Sequence, residues 1–336
     1  MTTRLTRIYQ TQESLDLANQ QYNHLLEIIN VIRSKWQNNH AKQMAFRIES
    51  ELCRMVFGSN FIERAGTSYD ETVQICCKVF REELPSRQTE EYTADLATLM
   101  GGLQLDSPYA PNDSKEAVIQ RARLEVIQHA RALSFFFENF MANEEEPLSE
   151  NLILQTHRIL CTGYDHEDGT AWQNWAGKYR DYEIAASSGG GNDGWKRKVT
   201  IFVRAVAVPT YMAAMVQSFN AWIAQDDVEV DPFELAAWLS TQFVNIHPFG
   251  DGNGRICRIL LNAVLYKFTG LVASLGEDGD ESRETYLEVA QRSSKVYHKE
   301  DGEVPTTSQT SHTELVGLVL KKAALCGSRL LEGLEG

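Results

Sequence analysis

The stretch His247-Pro248-Phe249-Gly250-Asp251-Gly252-Asn253-Gly254-Arg255-Ile256-Cys257-Arg258 lies between two apolar runs of helical period, and its reading decides the fold. Pro248 stops the incoming helix, because a residue before proline is pushed out of the α region. Gly250, Gly252 and Gly254 allow a tight turn and a close backbone approach to a ligand. The next helix starts there, so its unpaired N–H groups and positive dipole end face the turn and suit an anion. Arg255 and Arg258 stand three apart on one helical face and can address the same phosphate chain. Asp251 offers one hard oxygen, and a magnesium ion held largely by phosphates asks little more of a protein. His247 stands where a general base would meet an incoming hydroxyl.

A plainer reading competes. A histidine at a helix end is more often a satisfied structural residue, and glycines between helices usually serve the turn alone. Two arginines in a helix's first turn, however, oppose its dipole at roughly 0.3–1 kcal/mol each. A structural turn would favour Asp or Glu, so the mismatch points to a phosphate as the missing partner. The run is neither a Walker A loop, lacking Gly-Lys-Ser/Thr, nor a Rossmann fingerprint, since no strand precedes it.

Outward from this turn the chain reads as helical. Pro232–Ile246 opens with Asp231 as N-cap, Pro232 at N1 and Glu234 at N3. The following helix runs from about Gly254 to Phe268, with Gly270 as its stop. Helical period also marks 11–36, 41–57, 115–140, a segment from N-cap Ser149 to about Cys161, Pro209–Ala224, 282–298 and 313–332. Leu84–Ser114 reads as a connector with a short helix near Asp95–Met100. Tyr179–Ala186 and Val199–Val206 read as strands flanking a glycine-bearing tip, Ser187–Lys198. The expectation is an all-α protein with a small β-hairpin. Its units are an N-terminal helical region over 1–114, a core over 115–300 and a C-terminal helix over 301–336.

Composition sets outer bounds. The chain has 336 residues, 43% hydrophobic and 23% charged, with a formal net charge of -14. That charge argues against a broad grip on nucleic acid or on an anionic membrane. No run approaches eighteen apolar residues, and MTTRLTRIYQTQESLDL has no apolar signal core. The six cysteines show no zinc-finger spacing and read as reduced thiols. The cytoplasm is the default location, with the nucleus open.

The quoted string resembles the FIC motif, His-Pro-Phe-x-Asp/Glu-Gly-Asn-Gly-Arg-x-x-Arg, at every fixed position. Ala176-Gly177-Lys178-Tyr179-Arg180 is similar to the start of that family's flap hairpin, and Glu125–Leu133 to an early core helix, with Gln128 where many members have asparagine. The likeness covers roughly residues 115–300. It implies a FIC (Fido) helical core and a protein adenylyltransferase that moves AMP from ATP to a Ser, Thr or Tyr hydroxyl. By the same resemblance His247 would be the base and Asp251 the magnesium ligand. Asn253, with the backbone around Gly250, Gly252 and Gly254, would stabilise the α-phosphate; Arg255 and Arg258 would grip the outer phosphates. Arg283 and Tyr286 would lie by the adenosine, and the flap, with Gly177, Tyr179 and Val206, would receive the target. A glycine at 254 departs from the lysine of the related Doc-type kinases. Implied partners are a protein substrate, the chain itself as a self-modification target, and a homodimer. Removal of AMP, transfer of another nucleotide, or nucleotide sensing without catalysis remain alternatives on the same fold.

Ser59-Asn60-Phe61-Ile62-Glu63-Arg64 resembles the family's inhibitory motif, Ser/Thr-x-x-x-Glu-Gly/Asn. Ser59 and Glu63 fit it, and Arg64 replaces the usual Gly or Asn. The resemblance implies that Glu63 pairs with Arg258 and occupies the place of the γ-phosphate.

Overall fold

The structure, a computed structural model, describes residues 12–37, 40–81, 115–144, 147–166, 168–188, 198–224, 230–304 and 308–332. Their order is α1 (Gln12–Gln37), α2 (Ala41–Ile62), α3 (Tyr69–Phe80), α4 (Lys115–Ala142), α5 (Glu150–Leu160), the single turn α6 (Trp172–Trp175), β1 (Ala185–Ser188) and β2 (Lys198–Ile201). After a 3-10 turn at Ala205–Ala207 come α7 (Val208–Ile223), α8 (Pro232–Ile246), α9 (Asn253–Thr269), α10 (Asp280–Glu300) and α11 (Thr313–Leu331). Helices α8 and α9 form the centre. Both are buried on almost every side, as Leu235, Leu239, Phe243, Ile259, Leu260 and Val264 show. A helix apolar all round can only be stable inside a shell of other elements. One apolar core continues outward through Ile29, Met55, Leu133 and Val319.

The caps follow the local sequence. Asp231 Oδ1 accepts the N–H groups of Phe233 and Glu234 at 2.8 and 3.2 Å. Ser149 Oγ accepts Leu152 N–H at 3.1 Å, and Gly270, with φ 73°, closes α9. The Asp231 and Gly270 caps fix the outer ends of the two helices that carry the central turn.

Three elements differ from expectation. Helix α2 continues through Ile62, past the predicted end at 57, because Gly58 is a contact point and not a breaker. A Cβ there would overlap Leu275 O and lie 2.8 Å from Glu277 N. Helix α3 has no counterpart in the sequence reading, although Ser68 caps it and Asp70 and Glu71 fill its first turn. The hairpin strands are shorter than Tyr179–Ala186 and Val199–Val206: antiparallel pairing runs only from Ala185↔Ile201 to Ser188↔Lys198. The segments 179–184 and 202–206 are instead tied together by a buried arginine. The connector helix near Asp95–Met100 and the hairpin tip 189–197 lie outside the described residues. Among the described residues no helix is long and apolar enough to cross a membrane.

Candidate active site

His247 ends α8 in the left-handed region, at φ 52° and ψ 59°. Pro248 disfavours continuing α8 through His247, and the left-handed conformation adopted instead costs roughly 1–2 kcal/mol for a residue with a Cβ. The strained residue turns its imidazole flat onto Phe202, with centroids 3.8 Å apart and planes at 11°. Nδ1 lies 3.2 Å from Val244 O. A carbonyl only accepts, so Nδ1 carries the proton and Nε2 the lone pair. Desolvation pushes His247 down to about 4; the Val244 carbonyl opposes this in part, and the Arg180 charge adds to it. The ring is therefore neutral near pH 7 and can take a proton.

Two side chains that sequence reading did not single out hold this geometry. Arg180 is 5% exposed. Its Nε donates to His247 O at 2.7 Å, its Nη1 to Tyr182 O at 2.8 Å and its Nη2 to Val203 O. One guanidinium thus ties both legs of the hairpin to the base. His157, on α5, is fully buried and stacks on Phe249 at 3.6 Å. Gly177 N–H donates to its Nδ1 at 2.8 Å, so its Nε2–H donates to Asp251 O at 3.0 Å. Burial holds His157 down at about 4, which preserves that tautomer. No local pattern marks either one: Arg180 stands beside Lys178, Asp181 and Glu183, His157 beside Gln155, Thr156 and Arg158, and their main partners, His247 and Asp251, are remote in sequence.

The turn itself is closed by its own side chains. Asn253 Oδ1 accepts Phe249 N–H at 3.0 Å and its Nδ2 donates to Phe249 O at 2.8 Å. The amide expected to meet the α-phosphate is thus engaged: reaching back four residues, it staples the turn. Gly252, with φ 77°, starts α9. Asp251 Oδ1 accepts Gly252 N–H at 2.6 Å, and Oδ2 faces Arg255 Nη2 at 3.2 Å. Burial works to raise the Asp251 carboxyl, but the Arg255 charge and the Gly252 N–H outweigh it and leave it below its ordinary value. Arg255 is 3% exposed, yet its Nε and Nη1 have no hydrogen-bond partner among the described residues. Buried unpaired donors on a cation are costly, so the site suits an anion placed there.

Arg258 is buried and engaged by α2. Its Nε donates to Ser59 Oγ at 2.8 Å, and Nη2 donates to Ser59 O at 2.9 Å and to Glu63 Oε1 at 2.5 Å. Burial works against the Arg258 charge, but Glu63 and its other neighbours leave the pKa above its ordinary value. The Glu63 carboxylate sits over the start of α9, where a Cβ on Gly254 would overlap Oε1. Arg64 then takes the left-handed region itself, at φ 58°. Its guanidinium pairs with Asp280 at 3.0 Å and lies over the Phe61 ring. The helix thus ends where glycine or asparagine would end it, at a strain cost.

The remaining predicted residues divide. Tyr286 is 6% exposed, with Arg258 over its ring at 5.5 Å. Arg283 Nε donates to Ile62 O at 2.8 Å, so in this structure it braces the end of α2. Gly177 and Tyr179 do not stand on the strand edge expected of them. The first is bound to His157, and the Tyr179 hydroxyl donates to Glu150 Oε2 at 2.7 Å. Val206, 83% exposed, lies in the 3-10 turn beyond β2.

Residues 147–265 match the Fic/DOC family. A Fido domain-containing protein of Dictyostelium discoideum is 32% identical over 117 residues, covering 34% of this chain and 73% of that protein. A protein adenylyltransferase Fic of Nematostella vectensis is 27% identical over 144 residues, 43% of this chain; the match spans only 28% of that protein's length. Among solved structures, a Fic domain-containing signaling protein of Bacteroides thetaiotaomicron superposes with a TM-score of 0.60 at 18% identity. That superposition covers 90% of this chain and 96% of the other, and speaks for the fold.

Proposed function

Because this chain belongs to the Fic/DOC family, we propose that it is a protein adenylyltransferase that moves AMP from ATP to a protein hydroxyl and releases pyrophosphate. The observation that carries the reading is a neutral histidine and a buried, partly unpaired guanidinium at the two ends of one turn. His247 Nε2 accepts the proton of a Ser, Thr or Tyr hydroxyl as its oxygen attacks the α-phosphorus. The N–H groups around Gly252 and Gly254 and the start of α9 face the charge that develops there. Arg255 takes the phosphate chain with its free N–H groups.

The residues also fit a nucleotide-borne magnesium ion. Asp251 is about half exposed at its side chain and kept ionised. No group of three or more His, Cys, Asp or Glu gathers as a closed cage among the described residues. Asp251 would hold the ion, which supplies charge neutralisation on the phosphates.

Glu63 acts as a brake on this site. Its carboxylate uses the Arg258 N–H that a γ-phosphate would need, and misplaces the nucleotide. The test is incubation of wild-type, Glu63→Gly and His247→Ala proteins with magnesium and ATP labelled on the α-phosphate. Glu63→Gly is expected to label itself at least roughly tenfold faster than wild type, and His247→Ala at least about a hundredfold slower than Glu63→Gly. Equal labelling of wild type and Glu63→Gly would remove the brake. No labelling by any variant despite ATP binding would remove AMP transfer.

A further inference from the structure

A cavity of about 700 Å³ lies between α10 and the end of β2 with the 3-10 turn that follows it. Phe202 lines it and also stacks on His247, so the cavity opens beside the catalytic base. In a chain of net charge -14 its lining is basic: Arg204 from the hairpin side, Lys295, His298 and Lys299 from α10. Neither Lys295 nor Lys299 forms an ion pair with an acid among the described residues. Asp301 is the acid in the lining, and its carboxylate accepts the Tyr211 hydroxyl at 2.9 Å. His298 and Lys299 suit the negative end of the α10 dipole. Lys295, a turn earlier, is not explained that way; Arg204, on another element, faces Glu183 at 3.8 Å with both side chains exposed. Independently, Ser294 lines the same cavity, is only 7% exposed, and its Oγ has no hydrogen-bond partner among the described residues. A buried hydroxyl in that state needs an acceptor.

We propose that this cavity is the docking groove for an acidic segment of the target protein, whose carboxylates meet Arg204, Lys295 and Lys299 and accept from Ser294. The exposed Val206 at the rim offers the apolar contact beside them. The proposal names the substrate class of the AMP-transfer reading above and rests on it for its purpose, though not for its binding. Charge complementarity of this kind sets partner choice and encounter rate more than affinity.

The test uses the full chain and two short fluorescent peptides with the same central Thr, one flanked by glutamates and one by lysines. Anisotropy should show the acidic peptide bound roughly tenfold tighter or more. Raised salt should shrink the difference, and the double substitution Lys295→Glu with Lys299→Glu should abolish or reverse it. Equal affinities for the two peptides, or a preference untouched by the double substitution, would overturn the groove. Self-labelling with α-labelled ATP is followed on the same proteins carrying Glu63→Gly, where the brake is removed. Loss of labelling with the acidic preference intact sinks AMP transfer and supports the groove; intact labelling with no preference sinks the groove alone.

Discussion

His247 gains its chemistry from three constraints: a left-handed backbone, a tautomer fixed by Val244 O and an apolar ring beneath it. A base held at about 4 is neutral above that pH and is lost as pH falls through it. Transfer by Glu63→Gly should therefore stay flat from about pH 8 to about pH 6 and decline only toward its folded pKa. Arg180 adds to the depression of that pKa. Arg180→Met should lower kcat roughly tenfold to a hundredfold and move the acid limb upward by up to about one pH unit. A fall in kcat with an unmoved limb would leave Arg180 a structural residue only. His247 to Arg258 was legible because each of its groups sits in one contiguous string. Arg180 and His157 were not, because their partners lie 67 and 94 residues away.

At the scale of elements, the seat of α2 is a close crossing. Gly58 meets the 275–277 loop, Arg283 holds Ile62 O, and Glu51 pairs with both sides of the Arg329 fork at 2.7 Å. Gly58→Ala forces a Cβ into Leu275 O, a strain of about 1–3 kcal/mol. We expect thermal unfolding several degrees lower and faster self-labelling than wild type, as Glu63 loses its register over α9. Lower stability with unchanged labelling would mean that the crossing does not restrain the brake. The long apolar helices were readable from period alone. The end of α2 was not, since a glycine permits a helix to stop but a tight crossing can also require one. The strands were overextended because Arg180 satisfies their backbone carbonyls by a side chain, which no alternation pattern reports.

Across the whole molecule, burial holds three histidines, His129, His157 and His247, below their ordinary pKa. Unfolded, each would bind a proton near pH 6.5. Below that pH the unfolded chain takes up more protons than the folded one, so stability falls with pH. The loss continues until His157 and His247 titrate in the fold at about 4. Urea midpoints should drop between about pH 7.5 and about pH 5 by an amount worth roughly 2–5 kcal/mol. Equal midpoints at the two values would show that these rings are not held neutral.

Arg258 has a single guanidinium to give, and Glu63 is delivered to it by the same chain. A rival for Arg258 therefore meets a carboxylate whose local concentration is set by folding and does not fall on dilution. Linkage makes the relation mutual: whatever loosens α2 tightens the nucleotide, and whatever tightens the nucleotide loosens α2 by the same factor. A partner that does no more than pull on α2 would then act as an activator without ever touching the active site.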